Sequence, residues 1–294
     1  KKIQDKGYVN NTKGSLIPTL KSLNNSSIGI NEIIISIPFD VEIETGLFQN
    51  FSNIIIYKSK YKGQVAQRIE GFKIAKNDII VQLDDDIILE KNCLKLMFDF
   101  LQLNHQCSIS AHFFDIITKK SIYYQEEKRG FAGLTFLSKR LNSRNKIYNK
   151  IKSGKNMHYN GTISKSGFET YPDMQKYSEP FITGWIPGGC VMHHKINLVL
   201  YNFFPFTGKA YCEDLYHSIA LKKNNIKLYY HPNAKAYLKI ENVKSNFTGF
   251  IQYLKNDFVI RKQLVEENKL SKTRMIMVYI MIYCLMMVGL QRKF

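Results

Sequence analysis

The chain has 294 residues, 45% of them hydrophobic and 13% aromatic, which is enough apolar material for a packed core and excludes wholesale disorder. Lysine and arginine outnumber aspartate and glutamate by 42 to 24, for a formal net charge of +18, so the expected partners are anions such as phosphorylated small molecules, lipid head groups or nucleic acid. The basic residues are scattered and the five cysteines form no C-x-x-C pair, which argues against a nucleic-acid tail, a disulfide framework and a structural zinc site, and fits a reducing cytosol.

The first part of the chain alternates between strand-like and helix-like segments. Apolar, β-branched runs are typical of strands that are buried on both faces, and apolar residues three or four positions apart are typical of helices. In chain order, these patterns predict a helix at 15–23, strands at 32–37 and 53–57, a helix at 64–76, a strand at 78–83 and a helix at 94–103. This alternation favours right-handed crossovers and a mostly parallel central sheet flanked by helices.

The middle of the chain is less regular. Residues 130–177 are rich in Ser, Asn, Lys and Gly, which predicts an excursion or a loop. A regular pattern returns at 181–194, and it is followed by a predicted helix at 214–222 and a predicted strand at 226–230.

The C-terminal region changes character at 275–290, where 16 residues carry no charge. A membrane-spanning helix needs about 20 apolar residues, so this segment is slightly short. A spanning helix, a helix in the interface, a hairpin with another subunit and a buried core helix all remain open. Lys272 and Arg274 precede the segment and Arg292 and Lys293 follow it, which favours membrane association because cationic side chains at both ends reach lipid phosphates.

Three adjacent carboxylates, Asp84, Asp85 and Asp86, follow the predicted strand at 78–83. The carboxyl ends of strands are where open α/β sheets bind ligands. Because neighbouring carboxylates repel one another, such a cluster requires either solvent or a cation. Oxygen ligands of this kind suit Mg²⁺ or Mn²⁺, which also bind substrate phosphates; a solvated acidic turn is the structural alternative.

Two further motifs come later in the chain. Glu213 and Asp214 stand at the start of a predicted helix, where a carboxylate serves either as a helix N-cap or as a general base that takes a proton from a hydroxyl group. The stretch TGWIPGGC at 183–190 holds the only tryptophan and three glycines. Glycines allow a backbone to approach a ligand closely, and Trp185 either offers a flat face to a sugar ring or packs in the core.

Taken together, these motifs resemble glycosyltransferase family 2, whose members have the GT-A fold and use nucleotide sugars. The resemblance runs over about 15–236. In that family a glycine precedes a helix that bears an arginine, a strand ends in a D-x-D motif, and a glycine turn and an E-D pair follow. The matching residues here are Gly63, Arg68, the triplet Asp84, Asp85 and Asp86, the turn with Trp185, Gly188 and Gly189, and the pair Glu213 and Asp214. The family's first strand is either missing here or degenerate at 3–9.

The resemblance implies a role for each residue. Asp84 contacts the nucleotide, Asp86 and Asp84 hold the divalent cation, and Asp85, Arg68, Lys62 and Gly63 complete the nucleotide-sugar site. Asp214 is the catalytic base with Glu213 as its neighbour, and Trp185, Gly188 and Gly189 line the donor-sugar and acceptor site. The implied domains are a GT-A-like catalytic domain at 1–240 and a C-terminal helical region at 241–294 that contains the membrane-associating segment 275–290.

The expected function is transfer of a hexosyl residue from a nucleotide-diphosphate sugar to a hydroxyl acceptor, by inverting displacement that depends on Mn²⁺ or Mg²⁺. The C-terminal segment points to a lipid-linked glycan or a cell-surface polysaccharide as acceptor. It also points to a cytoplasmic location, peripheral to or anchored at the inner face of the cell membrane, with an anionic membrane surface and no nucleic acid as partner. Two alternatives remain: a metal-dependent nucleotidyltransferase, and a non-enzymatic basic module that binds membranes or nucleic acid.

Overall fold

The computed structural model describes residues 12–123, 161–206, 212–239 and 247–290. The possible strand at 3–9 and most of the predicted excursion at 130–177 lie outside these residues. The helices of the described chain are α1 (Thr12–Asn24), α2 (Gln64–Ile74), α3 (Cys93–Gln102), α4 (Glu213–Lys223), α5 (Phe247–Glu267) and α6 (Lys272–Leu290). The strands are β1 (Ile33–Pro38), β2 (Ile54–Ser59), β3 (Ile79–Leu83), β4 (Ile88–Leu89), β5 (Cys107–Asp115), β6 (Phe181–Thr183), β7 (Cys190–His194) and β8 (Lys227–Leu238).

Most predicted segments coincide with one of these elements, and the differences lie at their ends. α1 begins at Thr12 rather than 15, so Pro18 lies inside the helix, where its ring removes one backbone hydrogen bond. The regular stretch at 181–194, to which the sequence assigned no element, forms two short strands, β6 and β7, separated by the glycine turn. β8 extends to Leu238 rather than 230.

Six strands of the described chain form one mixed sheet in the order β3-β7-β5-β8-β4, with β6 also paired to β8. β5 and β8 run parallel, whereas β7 is antiparallel to β3 and β5, and β4 and β6 are antiparallel to β8. β1 and β2 form a separate parallel pair. The α/β prediction is confirmed, but the sheet is mixed rather than mostly parallel, because an apolar run records burial and not the direction of a strand.

The core of this sheet is centred on β5, whose residues are nearly all buried. The buried face of α3, with Leu94, Met97 and Leu101, packs against β5 and β8. The amphipathic spacing of these residues explains why the segment forms a helix on the sheet, since one apolar stripe is covered while the opposite side faces solvent.

The chain divides into two compact units, one formed by 1–121 with 175–242 and the other by 122–174 with 243–294. The boundary between a catalytic domain and a C-terminal region at residue 240 stays a prediction. The unit that holds the C-terminal helices also includes 122–174, which sequence patterns assigned to the catalytic part.

In the second unit, α6 packs against α5. Phe168, Val265, Met275 and Val278 form the apolar cluster of this unit. Beside it, Arg261 is nearly buried, pairs with Asp257 at 3.0 Å and lies with its guanidinium carbon 4.0 Å from the centre of the Phe168 ring. Over the described residues, no helix has both the length and the apolar character needed to cross a membrane.

Candidate active site

The acidic triplet lies at the end of β3, beside the glycine turn. β3 pairs with β7 in antiparallel register, and the backbone N–H of Asp84 donates to the carbonyl of Gly189 at 2.9 Å. The side chain of Asp84 is 34% exposed, and Asp85 and Asp86 are exposed. Pairing of the two strands therefore holds three carboxylates at an edge that a ligand can reach.

Arg68 joins the end of β3 to the start of α4. Its Nη1 donates to both carboxylate oxygens of Glu213 at 2.9 Å, and its Nη2 lies 3.4 Å from Oδ1 of Asp84. The side chains of Arg68 and Glu213 are only 10% and 6% exposed, so the two form a buried ion pair across 145 positions of sequence. Loss of either partner would leave an uncompensated buried charge.

Asp214 contacts the glycine turn from the other side. α4 begins at Glu213, after Cys212 with a φ of 56°, so both acids lie in the first helical turn and neither is the N-cap. The backbone N–H of Gly188 is hydrogen-bonded to Asp214. A Cβ atom at Gly188 would stand 2.5 Å from Oδ1 of Asp214 and 2.8 Å from Nε2 of Gln82, so the turn requires glycine at this position.

Burial and mutual repulsion raise the proton affinity of these carboxylates. Burial, together with the charges of neighbouring carboxylates, raises the pKa of Asp84 to about 6, against the opposing effect of Arg68. Burial, followed by the charges of Glu213 and Asp84, raises the pKa of Asp214 well above its usual value. Burial lowers the pKa of Arg68, but the surrounding carboxylates outweigh it and the pKa is raised overall. The site thus carries excess negative charge, which a bound cation would stabilise.

Lys62 and Gly63 directly precede α2, six and five residues before Arg68. Gly63 has a φ of 119°, in the region that favours glycine. Nζ of Lys62 lies 2.6 Å from Oδ2 of Asp40, and this contact holds the pKa of Asp40 below its usual value. The structure thus brings Lys62 together with Asp40, and the roles of Lys62 and Gly63 in nucleotide binding stay predictions.

Trp185 and Gly189 lie in the turn between β6 and β7. Trp185 is 4% exposed, so its ring is packed inside the protein, as in the structural alternative raised for this residue. Stacking of a sugar on the Trp185 ring stays a prediction, and the ring has no exposed face in this structure. A Cβ atom at Gly189 would lie 3.3 Å from Phe113 and 3.5 Å from Oδ2 of Asp84, so this glycine lets the backbone pass close to the acidic triplet.

Sequence patterns missed Gln82, whose Nε2 donates to the Gly188 carbonyl. A signal was present, because Gln82 is a polar residue within the apolar run of β3, two positions before Asp84 and hence on the same side of the strand.

The structure also contains two buried histidines, His193 and His217, whose ring centres lie 5.5 Å apart. Nδ1 of His193 lies 2.7 Å from Oγ of Ser108, and the two Nε2 atoms have no hydrogen-bond partner among the described residues. Burial, and then the charge of Arg68, lowers the pKa of His193 to about 3. Burial, followed by His193 and Arg68, lowers the pKa of His217 well below its usual value. Two neutral rings therefore lie within electrostatic reach of the Arg68 ion pair.

Over the described part of the chain, no group of three or more His, Cys, Asp or Glu side chains has the arrangement of a metal site. The exposed carboxylates of Asp85 and Asp86 beside Asp84 are nevertheless hard oxygen donors, which Mg²⁺ and Mn²⁺ prefer.

The fold resembles that of a solved glycosyltransferase. A crystal structure of GalNAc-T7 with UDP, GalNAc and Mn²⁺ aligns with a TM-score of 0.54 at 12% identity, over 83% of this chain and 45% of that one. S. aureus TarS, residues 1–349, aligns with a TM-score of 0.49 at 12% identity, over 91% of this chain and 66% of that one. The chain therefore spans about half to two thirds of the length of these structures. A search of curated proteins finds no match. The alignment with GalNAc-T7 shows a GT-A-like α/β fold.

The sequence itself then identifies the family. The profile described as Glycosyl transferase family 2 matches residues 9–171, more than half of the chain, so the protein belongs to glycosyl transferase family 2. The matched stretch contains Arg68 and the acidic triplet, but it ends before the glycine turn, Glu213 and Asp214. The connection of these later residues to the family's motifs therefore depends on the geometry described above.

Proposed function

We propose that this glycosyltransferase moves a hexosyl residue from a nucleotide-diphosphate sugar to a hydroxyl acceptor, with inversion at the anomeric carbon and with the help of Mn²⁺ or Mg²⁺. The observation that carries the proposal is the Arg68 ion pair. It fixes Glu213 beside Asp84, and thereby fixes Asp214 against the turn that holds the end of β3. Candidate donor-binding residues and a candidate base thus meet at one place, as a single displacement requires.

The donor side of the proposal assigns the diphosphate to the edge of β3. Magnesium is commonly bound through one or two carboxylates together with substrate phosphates, and Asp86 and Asp84 provide such carboxylates. When bound, the cation would neutralise charge on the departing diphosphate. The crystal structure of GalNAc-T7 with UDP, GalNAc and Mn²⁺ supports this use of a metal by analogy. Asp84 and Asp85 would contact the nucleotide, with Lys62 and Gly63 at the start of α2. Because Arg68 is committed to Glu213 and Asp84, its effect on the donor is to position Asp84.

The acceptor side assigns the proton to Asp214. The acceptor hydroxyl attacks the anomeric carbon as the bond to the diphosphate breaks, and its proton passes to the Asp214 carboxylate. A raised pKa makes the ionised carboxylate a stronger base. Glu213 does not share this role, because both of its oxygens are bound by Arg68. Gly188 lets the turn lie against Asp214 and Gln82, and Gly189 lets it pass close to Asp84.

The proposed acceptor is a lipid-linked glycan or a cell-surface polysaccharide, and the proposed location is the cytoplasmic face of the cell membrane, where the protein is peripheral or anchored. The support is the basic composition, with a net charge of +18, and the apolar segment at 275–290 between cationic residues. An anionic membrane surface is the macromolecular partner in this proposal, and nucleic acid is not.

The test compares Asp214→Asn with the unchanged protein. UDP or GDP release is measured from UDP-glucose, UDP-galactose, UDP-GlcNAc, UDP-GalNAc and GDP-mannose in Mn²⁺, with a membrane lipid extract or water as acceptor. We expect release to fall by about 10²–10⁴-fold in the variant, while the thermal stabilisation by the preferred donor is retained. Asp99→Asn, at an exposed site on α3, serves as the matched control.

Three results would count against the proposal. Full turnover by Asp214→Asn removes this residue as the base. Undiminished activity in excess chelator removes the metal. Release of pyrophosphate instead of a nucleoside diphosphate identifies a nucleotidyltransferase.

A further inference from the structure

We propose that α6 docks on an anionic lipid surface through its outer stripe, which we define as Ile276, Met277, Ile280 and Tyr283. The proposal deepens the membrane location given above and rests on that location. It does not depend on sugar transfer, because docking is measured without any donor or acceptor.

The inner side of α6 is already buried by packing within its own unit. Met275 and Val278 are fully buried, and Tyr279 and Ile282 pack against the same apolar cluster. These four residues recur at helical spacing, so they line one side of the helix. The hydroxyl of Tyr279 also donates to Asp257 on α5, which fixes the rotation of α6 about its own axis.

The outer stripe is equally apolar but remains exposed. The exposed fractions are 38% for Ile276, 42% for Met277, 56% for Ile280 and 51% for Tyr283. Their spacing of one, three and three residues places them along one side of the helix, opposite the packed side. A helix that is apolar all round is typical of one that is covered all round, and contiguous exposed apolar residues mark an interaction surface.

The charge around the stripe favours anionic lipid as the partner. The last 27 residues, 268–294, contain five lysines and arginines and no aspartate or glutamate. Lys272 is exposed and pairs with Glu266 at 3.0 Å, and Arg274 lies two residues before Ile276, the first residue of the stripe. A helix with an apolar side between cationic ends binds in the plane of a membrane, where its side chains reach both acyl chains and phosphates.

The experiment measures co-flotation of the full chain with vesicles of phosphatidylcholine alone and of phosphatidylcholine mixed with an equal part of phosphatidylglycerol. We expect binding to the mixed vesicles only, and a loss of about tenfold or more for Ile280→Asn, because one buried isoleucine side chain contributes that much to transfer out of water. Arg274→Gln is expected to weaken binding by a few-fold, in the range of about 1 kcal/mol per basic residue near an anionic surface.

The matched control is Ile196→Asn, which makes the same change at an isoleucine that is 92% exposed in the other unit, and it should float like the unchanged protein. Thermal unfolding of all variants shows that each is folded, and light scattering reports their oligomeric state. Equal flotation of Ile280→Asn and Ile196→Asn would overturn the proposal. It would also be overturned if Ile280→Asn converted a dimer into a monomer without affecting flotation, since a second copy would then cover the stripe.

Discussion

The ion pair between Arg68 and Glu213 predicts a strong energetic coupling between α2 and α4, which a double-mutant cycle measures. Both side chains are nearly buried, and Nη1 of Arg68 lies 2.9 Å from each carboxylate oxygen. Breaking such a pair from one side costs about 3–5 kcal/mol, because the remaining charge is left buried without its partner. We expect Arg68→Met to lie at the upper end of this range, because it also leaves Asp84 without its cation. Glu213→Met is expected at the lower end, because Arg68 keeps Asp84 at 3.4 Å.

The double variant, Arg68→Met with Glu213→Met, removes both charges and should cost less than the sum of the two single variants. We expect a coupling energy of about 2 kcal/mol, within the range for residues in direct contact. The assay is urea unfolding followed by far-UV circular dichroism, with chelator present so that no metal contributes to stability.

The matched control cycle uses Lys95 and Asp99 on α3, which are 2.7 Å apart but each 49% exposed. An exposed helical pair of this kind contributes about 0.3–0.5 kcal/mol. A coupling energy for Arg68 and Glu213 no larger than that of the control cycle would refute the account of a buried ion pair that holds the two halves of the site together.

Two further predictions concern the turn and the buried histidines. Gly188→Ala should lower the free energy of unfolding by about 1–3 kcal/mol. It should also lower nucleoside diphosphate release by about 10²-fold, because a displacement of about 1 Å at Asp214 suffices for such a loss. Gly29→Ala is the control, since its Cβ atom would meet nothing within 4 Å, and an equal effect of both changes would contradict the prediction. His193 has a pKa lowered to about 3 in the folded state, below its unfolded value, so unfolding takes up a proton and the stabilisation present above a pH of about 6.5 is lost as the pH falls toward 3. From pH 7 to pH 5 this loss amounts to about 2 kcal/mol. The free energy of unfolding of His193→Gln in urea should therefore depend less on pH than that of the unchanged protein. The same pH dependence in both proteins would show that His193 is charged in the fold.

Several parts of the fold follow from local patterns. The isoleucine-rich runs predict β1, β2 and β3 within one or two residues, and the amphipathic spacing predicts α2 and α3. These features are local because burial of a strand and amphipathicity of a helix are recorded in a few consecutive residues. The direction of a strand is not recorded in a few consecutive residues. The prediction of a mostly parallel sheet was therefore wrong, although the apolar runs favoured it.

The candidate site also has features that the sequence predicts and features that only the fold shows. The residue types and their order already indicate Asp84, Asp86 and Asp214, because clustered carboxylates in a basic chain require a chemical reason. The sequence alone offered Arg68 as a partner for the donor diphosphate, whereas the fold pairs it with Glu213. It left Trp185 as either a surface for a sugar or a packed core residue, and in the fold this residue is 4% exposed.

The sequence by itself determined which segments form helices and strands, where the acidic groups lie along the chain, and which family the protein belongs to. The tertiary structure alone decided that residues 145 positions apart form one ion pair, that Gly188 lies against Asp214 and Gln82, and that two neutral histidines lie near the same arginine. The physical reason is that charge, burial and hydrogen bonding at a site depend on which neighbours the fold brings within a few ångströms. Periodicity along the chain carries no information about such neighbours.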